Sequence, residues 1–127
     1  MKTVLVQYLS VAGAGALGAA ARLFIATVCG RLFGTAFPIG TFVINITGSL
    51  FLGWFLTTIG HRLMVSDTIR LAVAVGFVGA YTTFSTFMYE SSSLLEDGSG
   101  IKAILNLMGS LVVGLLAVRF GIWLGSR

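Results

Sequence analysis

Apolar residues in this chain are grouped into four long stretches separated by short polar connections. The stretches cover approximately residues 4–28, 37–59, 69–95 and 101–124. Each is close to the roughly 20 residues that a helix needs to cross a bilayer. Pro38 at the first turn of the second stretch and a capping Ser66 or Asp67 before the third favour helices over strands. The pattern predicts an all-α membrane protein with four transmembrane helices, in which residues 1–127 form a single domain.

The composition supports a membrane protein and excludes several other classes. Hydrophobic residues make up 57% of the chain and charged residues 9%, with a mean hydropathy of +1.01, whereas a soluble domain has about 25% charged residues. The single cysteine, Cys29, cannot form an intramolecular disulfide, and no Cys or His residues stand at metal-ligand spacing. One histidine and four acidic residues offer no convergent acid, base and nucleophile, so we do not expect an enzyme.

The first apolar stretch also has features of a signal peptide. Lys2 precedes it, and the alanines at 19–21 resemble a cleavage site. Cleavage would leave three apolar spans and no soluble product to export. We therefore interpret the stretch as the first transmembrane helix.

Positive charges are divided almost evenly between the two sides of the predicted membrane domain. The side with both termini carries Lys2, Arg62, Arg70, Arg119 and Arg127. The other side carries Arg22, Arg31 and Lys102. Because Lys and Arg set orientation, this weak bias leaves insertion in both directions open. The net charge of +4 is compatible with anionic lipid headgroups, and we expect no nucleic-acid partner.

Polar residues recur at helical spacing inside two of the spans. The second span carries Thr41, Asn45 and Ser49 on one stripe, and the fourth repeats the spacing with Asn106, Ser110 and Gly114. An asparagine in hydrocarbon is unfavourable unless its amide finds partners. Asn45 is equally compatible with an ion-binding donor and with an interhelical hydrogen bond of about 0.6 kcal/mol.

Acidic residues are nearly absent from the spans. Glu90, late in the third span, is the one candidate. Proton-coupled exporters of cations depend on an embedded carboxylate, so hydrogen-bond donors without carboxylates favour an anion. Arg22, near the far end of the first span, can extend to the membrane interface, and a structural role is favoured for it.

The third span contains a segment that is unfavourable for a continuous helix. Gly76 and Gly79 are followed by the β-branched Thr82 and Thr83. Irregular backbone at membrane depth is tolerated only when it is buried in protein or lines a cavity, and transporters use broken helices to hold ions. The sequence therefore predicts a broken third helix near residues 79–83.

An aromatic stripe accompanies this segment. Tyr81, Phe84 and Phe87 lie at i, i+3 and i+6, roughly on one face. The edge of an aromatic ring carries positive partial charge and can contact an anion. Taken alone, such a stripe is more often packing than a binding site.

The segment from Gly76 to Phe87 resembles the "GxxGGxTTFSTF" signature of the small bacterial fluoride channels of the Fluc (CrcB) family. The similarity extends to a glycine-rich first helix that ends with Arg22, to "PIGTFVINITGS" in the second span, and to Glu90 after the signature. It covers essentially the whole chain. Two departures are visible: Ala80 replaces the usual second glycine, and Asn106 stands where an aromatic hydroxyl such as tyrosine occurs.

The resemblance implies a fold, an activity and a set of functional residues. The fold is an antiparallel, dual-topology homodimer in a bacterial inner membrane, with two fluoride pathways at the subunit interface. Asn45 would supply a pore-lining amide, and Phe84 and Phe87 an aromatic box. Hydroxyls and a polar track would come from Ser85, Thr86, Asn106 and Ser110, with Thr41 on the stripe of the second span. The carbonyls of Gly79 and Thr82 would hold a central structural sodium ion with their symmetry mates.

Three functions remain in view at this point. The first is passive, fluoride-selective conduction that exports toxic fluoride. The second is a small dual-topology exporter of cationic drugs, which would depend on Glu90. The third is a noncatalytic membrane scaffold whose polar residues only join helices.

Overall fold

The computed structural model describes residues 1–61 and 65–127, and every regular element in this part of the chain is helical. The elements are α1 (Lys2–Phe33), α2 (Ile39–His61), α3 (Asp67–Leu71), a π-helical segment (Ala72–Val78), α4 (Gly79–Tyr81), α5 (Phe84–Glu96) and α6 (Gly100–Gly125). Four helical units are long and apolar enough to cross a membrane: Lys2–Phe33, Ile39–Gly60, Asp67–Glu96 and Gly100–Gly125. The chain is thus an all-α, multi-pass membrane protein. Arg62, one of the residues in the charge bias, lies outside the described residues.

The helix ends follow local chemistry. α1 continues through the "CGRLF" that the hydropathy pattern assigns to a connection, because that pentapeptide contains no proline and its one glycine costs a helix only about 1 kcal/mol. It stops at Gly34, which has φ 75° and donates its N–H to the carbonyl of Gly30 at 3.0 Å. The third span begins at Ser66, whose hydroxyl accepts the N–H of Ile69 at 3.4 Å, as its predicted capping role requires.

Glycines allow the helices to approach closely in two places. A Cβ at Gly121 would overlap the carbonyl oxygen of Leu50, and one at Gly53 would overlap the carbonyl oxygen of Val118. α2 and α6 therefore pack closely against each other. Elsewhere, Gly18 of α1 lies against the carbonyl of Phe77 in the π-helical segment, a close approach of the kind that small residues allow between membrane helices.

The chain buries few side chains by itself. Ile44 and Asn106 are the largest that are fully buried, whereas many large apolar side chains are more than half exposed, including Leu5, Leu17 and Leu115. An apolar surface of this extent needs lipid or another protein surface against it.

Two consecutive threonines of the third span have extended backbone conformations. α4 ends at Tyr81, and Thr82 (φ −79°, ψ 159°) and Thr83 (φ −150°, ψ 117°) are both extended before α5 begins at Phe84. We refer to Thr82 and Thr83 as the threonine junction. The π-helical segment ends one turn before it.

Candidate functional site

Asn45 of α2 binds the backbone of the threonine junction with both ends of its amide. Its Nδ2 donates to the carbonyl of Thr83 at 3.0 Å, and its Oδ1 accepts the N–H of Thr83 at 2.8 Å. In a continuous helix the Thr83 N–H would donate to the carbonyl of Gly79. Asn45 thus takes the place of a peptide group as hydrogen-bond partner and pairs both the N–H and the carbonyl of the extended Thr83.

Thr83 also caps the helix that follows. Its Oγ1 accepts the N–H of Thr86 at 3.2 Å, and its hydroxyl donates to Oγ1 of Thr86 at 3.0 Å. A continuous helix would instead direct the Thr86 N–H to the carbonyl of Thr82. The donors that a helix would supply to the carbonyls of Gly79 and Thr82 are therefore engaged elsewhere.

The threonine junction packs closely against α2. A Cβ at Gly48 would overlap Cγ2 of Thr82, so no larger residue fits there without movement. One turn earlier, the hydroxyl of Tyr81 lies 2.9 Å from Oγ1 of Thr47. Because Thr47 donates its own proton to the carbonyl of Val43 at 2.7 Å, Tyr81 is the donor in this pair. These contacts fix the position of the junction relative to the second span.

An open cleft of about 480 Å³ lies between α2, the threonine junction, α5 and α6. Its lining includes Asn45, Ser49, Thr82, Thr83, Phe84, Phe87 and Ser110. None of the residues that line it carries a formal charge. The cleft combines amide and hydroxyl groups with aromatic rings, a set that can hold an ion without a fixed countercharge.

The two phenylalanines of the cleft differ in their surroundings. Their ring centroids are 6.3 Å apart with an interplanar angle of 61°, which is an edge-to-face arrangement. Phe87 is only 6% exposed, whereas Phe84 is 73% exposed. The ring of Phe87 is therefore packed inside the protein, whereas the ring of Phe84 is largely exposed on the single chain.

The remaining predicted polar residues occupy three different places. Ser85 and Thr86 lie exposed on α5, and Ser110 lines the cleft with an Oγ that has no partner among the described residues. Asn106 does not line the cleft. It is fully buried, and its Nδ2 donates to Oγ of Ser91 at 2.9 Å. The cleft therefore brings together Asn45, Phe84, Phe87 and Ser110, whereas Asn106 lies outside it.

Thr41 and Glu90 form a separate pair. The Thr41 hydroxyl donates to Oε1 of Glu90 at 2.9 Å, and both residues line a second cavity of about 250 Å³ beside the α1–α2 connection. Arg22 is half-buried on α1 and makes no ion pair with any residue in the described ranges. Thr41 and Glu90 thus belong to one local site, to which Arg22 is not joined by hydrogen bonds.

The predicted site residues do not include three that build this site: Gly48, Thr83 and Ser91. The sequence predicts Thr83 only as part of the irregular segment of the third span. A signal for Thr83 existed, since a threonine just before a helix is a common N-cap. Ser91 is one of three consecutive serines, and no pattern singles it out. Ala80, which departs from the family signature, is accommodated as an ordinary helical residue of α4; no described non-glycine residue has positive φ.

Comparison with known proteins places the chain in a family. The sequence profile described as "CrcB-like protein, Camphor Resistance (CrcB)" matches residues 9–122. A protein of Chloroflexus aurantiacus named fluoride-specific ion channel FluC is 47% identical over 92% of this chain and 93% of its own length. Proteins with the same name from Acidobacterium capsulatum (45% identical, 95% and 97% covered) and Maridesulfovibrio salexigens (40% identical, 94% and 94%) are also similar.

The similarity runs from the first span to the last, and the relatives align over nearly their full lengths. It confirms the resemblance that the signature around the threonine junction predicted. This chain belongs to the CrcB family.

Proposed function

We propose that this chain is a fluoride-selective, passive ion channel that lets toxic fluoride leave the cell down its electrochemical gradient. The observation that carries the proposal is the 47% identity, over 92% of the chain, to a protein named for that activity. Passive conduction makes and breaks no covalent bond, so the proposal needs no enzymatic step.

The chemistry of the cleft fits a small, strongly hydrated anion. An amide nitrogen of asparagine carries two N–H donors, and Asn45 uses one of them on Thr83. The second remains for an ion, so Asn45 serves both as a structural bond and as a donor. Phe84 and Phe87 offer ring edges, and Ser110 adds a hydroxyl. Binding without a fixed positive charge leaves the ion able to depart.

We place the other polar residues of the predicted pathway around this centre. Ser85 and Thr86 are exposed on α5, where they would meet fluoride before it reaches the rings. Thr41 and Glu90 would line one end of the route, in the second cavity. Arg22 and Tyr81 are assigned structural roles, the latter through its bond to Thr47.

We further propose that two copies assemble as an antiparallel, dual-topology homodimer with two pathways in the inner membrane of a bacterium. The open cleft and the 73% exposure of Phe84 support this, because a second surface would enclose the ring that the single chain leaves outside. The weak bias of Lys and Arg, five on one side against three on the other, is compatible with insertion in both orientations.

A structural sodium ion is proposed at the threonine junction, held by the carbonyls of Gly79 and Thr82 from both copies. The residues fit this role, since the backbone donors that a continuous helix would give these carbonyls are used by Asn45 and Thr83 instead. Carbonyl oxygens can replace the hydration shell of an alkali cation. When bound, the ion would add positive potential near the anion pathway.

The relatives are channels by name, which does not support the two alternatives, a cation exporter and a membrane scaffold. An exporter would take up an organic cation in response to a proton gradient and lose this uptake on Glu90→Gln. A scaffold would carry no ion flux for a substitution to abolish.

Fluoride release from proteoliposomes tests the proposed function. Vesicles loaded with both halides should release fluoride rapidly and retain chloride, as followed with ion-selective electrodes. Phe84→Ile should suppress release because it removes a ring edge from the cleft, whereas Phe24→Ile, at a similarly exposed position on α1, should not. Absence of fluoride-selective flux from correctly assembled protein would contradict the proposal.

Topology and the cation have their own tests. In a Cys29→Ala background, Asp97→Cys in the connection between α5 and α6 should react with an impermeant maleimide in about half of the molecules in intact cells if both orientations occur. Complete labelling or none would exclude dual topology. Replacing sodium by a large organic cation throughout purification should lower fluoride flux and destabilise the dimer. Unchanged flux and dimer stability would remove sodium from the proposal.

A further inference from the structure

A chain of hydrogen bonds connects the last span to the backbone of Phe87. Nδ2 of Asn106 donates to Oγ of Ser91 at 2.9 Å, and the hydroxyl of Ser91 donates to the carbonyl of Phe87 at 2.7 Å. Ser91 is 3% exposed, Phe87 is 6% exposed, and Asn106 has no exposed surface. The three residues form a buried connection between α6 and α5, behind the wall of the cleft.

The direction of these bonds is fixed by chemistry. Ser91 has one hydroxyl proton, and the carbonyl of Phe87 can only accept it. The Ser91 oxygen must therefore accept from Asn106, which turns the amide nitrogen, and not its oxygen, towards α5. Oδ1 of Asn106 has no partner in the described part of the chain. An unpaired acceptor oxygen at a residue outside the cleft is a poor ligand for an anion.

We propose that Asn106 and Ser91 are positioning residues for Phe87, and that Asn106 acts on the ion pathway through this connection and not by contact with the ion. The consequence for conduction rests on the proposed function, in which the ring edge of Phe87 contacts fluoride. A serine that donates to the carbonyl four residues earlier bends its helix. The amide of Asn106 holds Ser91 in the rotamer that makes this bond.

The connection also sets the width of the cleft. Ser110 stands one turn after Asn106 on α6 and lines the cleft, and Phe87 stands one turn before Ser91 on α5 and lines it from the other side. Because Asn106 and Ser91 bond to each other, they fix the distance between the hydroxyl of Ser110 and the ring of Phe87.

The test uses the full-length protein with 4-fluorophenylalanine at position 87. The variants are Ser91→Ala, Asn106→Leu and the double variant, with Ser92→Ala as the matched control. Ser92 lies on the same helix but is exposed, and its hydroxyl donates to Oε1 of Glu96 and not to a backbone carbonyl. Two quantities are measured in each variant: the fluorine NMR resonance of residue 87, and the rate of fluoride release from proteoliposomes.

We expect both single variants to shift or broaden the resonance and to slow fluoride release about two- to tenfold, the range for loss of one buried hydrogen bond. The double variant should release fluoride no more slowly than the slower single variant, since Asn106 and Ser91 act on Phe87 through the same chain of hydrogen bonds. Ser91→Thr, which keeps the hydroxyl, should restore the rate, and Ser92→Ala should match the unmodified protein. If Asn106→Leu does not assemble, Ser91→Ala alone still tests the proposal.

Two results would overturn the proposal. One is a normal resonance and rate in Ser91→Ala. The other is a double variant whose loss is the product of the two single losses, which would indicate that Asn106 contacts the ion independently. A protein that conducts no fluoride but shows the resonance shifts would instead contradict the proposed function and leave the positioning role supported.

Discussion

Asn45 and Asn106 occur in similar sequence patterns but have different roles in the structure. Each begins or continues a polar stripe with spacing i, i+4 and i+8 in an apolar span. Asn45 pairs both ends of its amide with the backbone of Thr83, at an irregular point of the chain. Asn106 donates to the side chain of Ser91, inside a regular helix. The same residue type replaces a missing peptide partner in one place and joins α6 to α5 through one serine in the other.

The contrast shows that the backbone facing an amide inside the protein decides the role of that amide. Extended residues at membrane depth expose an N–H and a carbonyl together, and an asparagine matches that pair. A regular helix has its backbone groups already bonded, so a buried amide beside it must find a side chain. The site around Asn45 should therefore be much more sensitive to substitution than the site around Asn106.

The largest effect is expected from Asn45→Asp. An aspartate keeps an acceptor for the Thr83 N–H but loses the donor to the Thr83 carbonyl and the donor proposed for fluoride. Two lost donors at a buried site should slow fluoride release by about a hundredfold or more. The efflux rate, normalised to assembled protein, measures this, and a loss no greater than that of Asn106→Leu would contradict the contrast between the two asparagines.

A smaller but clear effect is expected from Gly48→Ala, which tests how tightly the threonine junction is held. The added methyl group would overlap Cγ2 of Thr82 and should destabilise the protein by about 1–3 kcal/mol. Gly13→Ala is the matched control, because its Cβ would meet nothing within 4 Å. Thermal unfolding in detergent compares them. Equal melting temperatures for the two variants would show that the junction can shift freely.

Thr41 lies outside both asparagine sites, and Thr41→Val should have an intermediate to small effect on fluoride release. The substitution keeps the shape of the side chain but removes the donor to Oε1 of Glu90. Loss of one hydrogen bond to a charged or polar acceptor should slow fluoride release by about tenfold or less. The combination with Glu90→Gln is informative, since paired residues should give a double variant whose loss is smaller than the product of the single losses.

The smallest effect is expected from Arg70→Gln. Arg70 and Asp67 form an exposed ion pair of 3.0 Å at the start of the third span. Exposed pairs of this kind contribute under about 1 kcal/mol, so flux and melting temperature should both stay close to those of the unmodified protein. A large loss would show that this end of the span contributes to the pathway more than its contacts indicate.

Much of the architecture could be predicted from the sequence because hydrophobic length and glycine content are local properties. The four apolar spans and the cap at Ser66 follow from residues near one another. The continuation of α1 to Phe33 could not be predicted from hydropathy, since a helix end that contains a glycine and an arginine looks like a connection. The family resemblance supplied the cleft residues Asn45, Phe84 and Phe87, whereas the contacts that Gly48, Thr83 and Ser91 make depend on how the helices pack.

Hydropathy and motifs alone predict four membrane-spanning helices, an uncharged polar stripe beside an aromatic one, and kinship with the CrcB family. The packed helices add that Asn45 binds Thr83, and that Asn106 is connected to Phe87 through Ser91 and not through the cleft. These contacts cannot be read from the sequence because a hydrogen bond depends on which groups meet in space, and residues 38 or 15 positions apart meet only after the helices have packed.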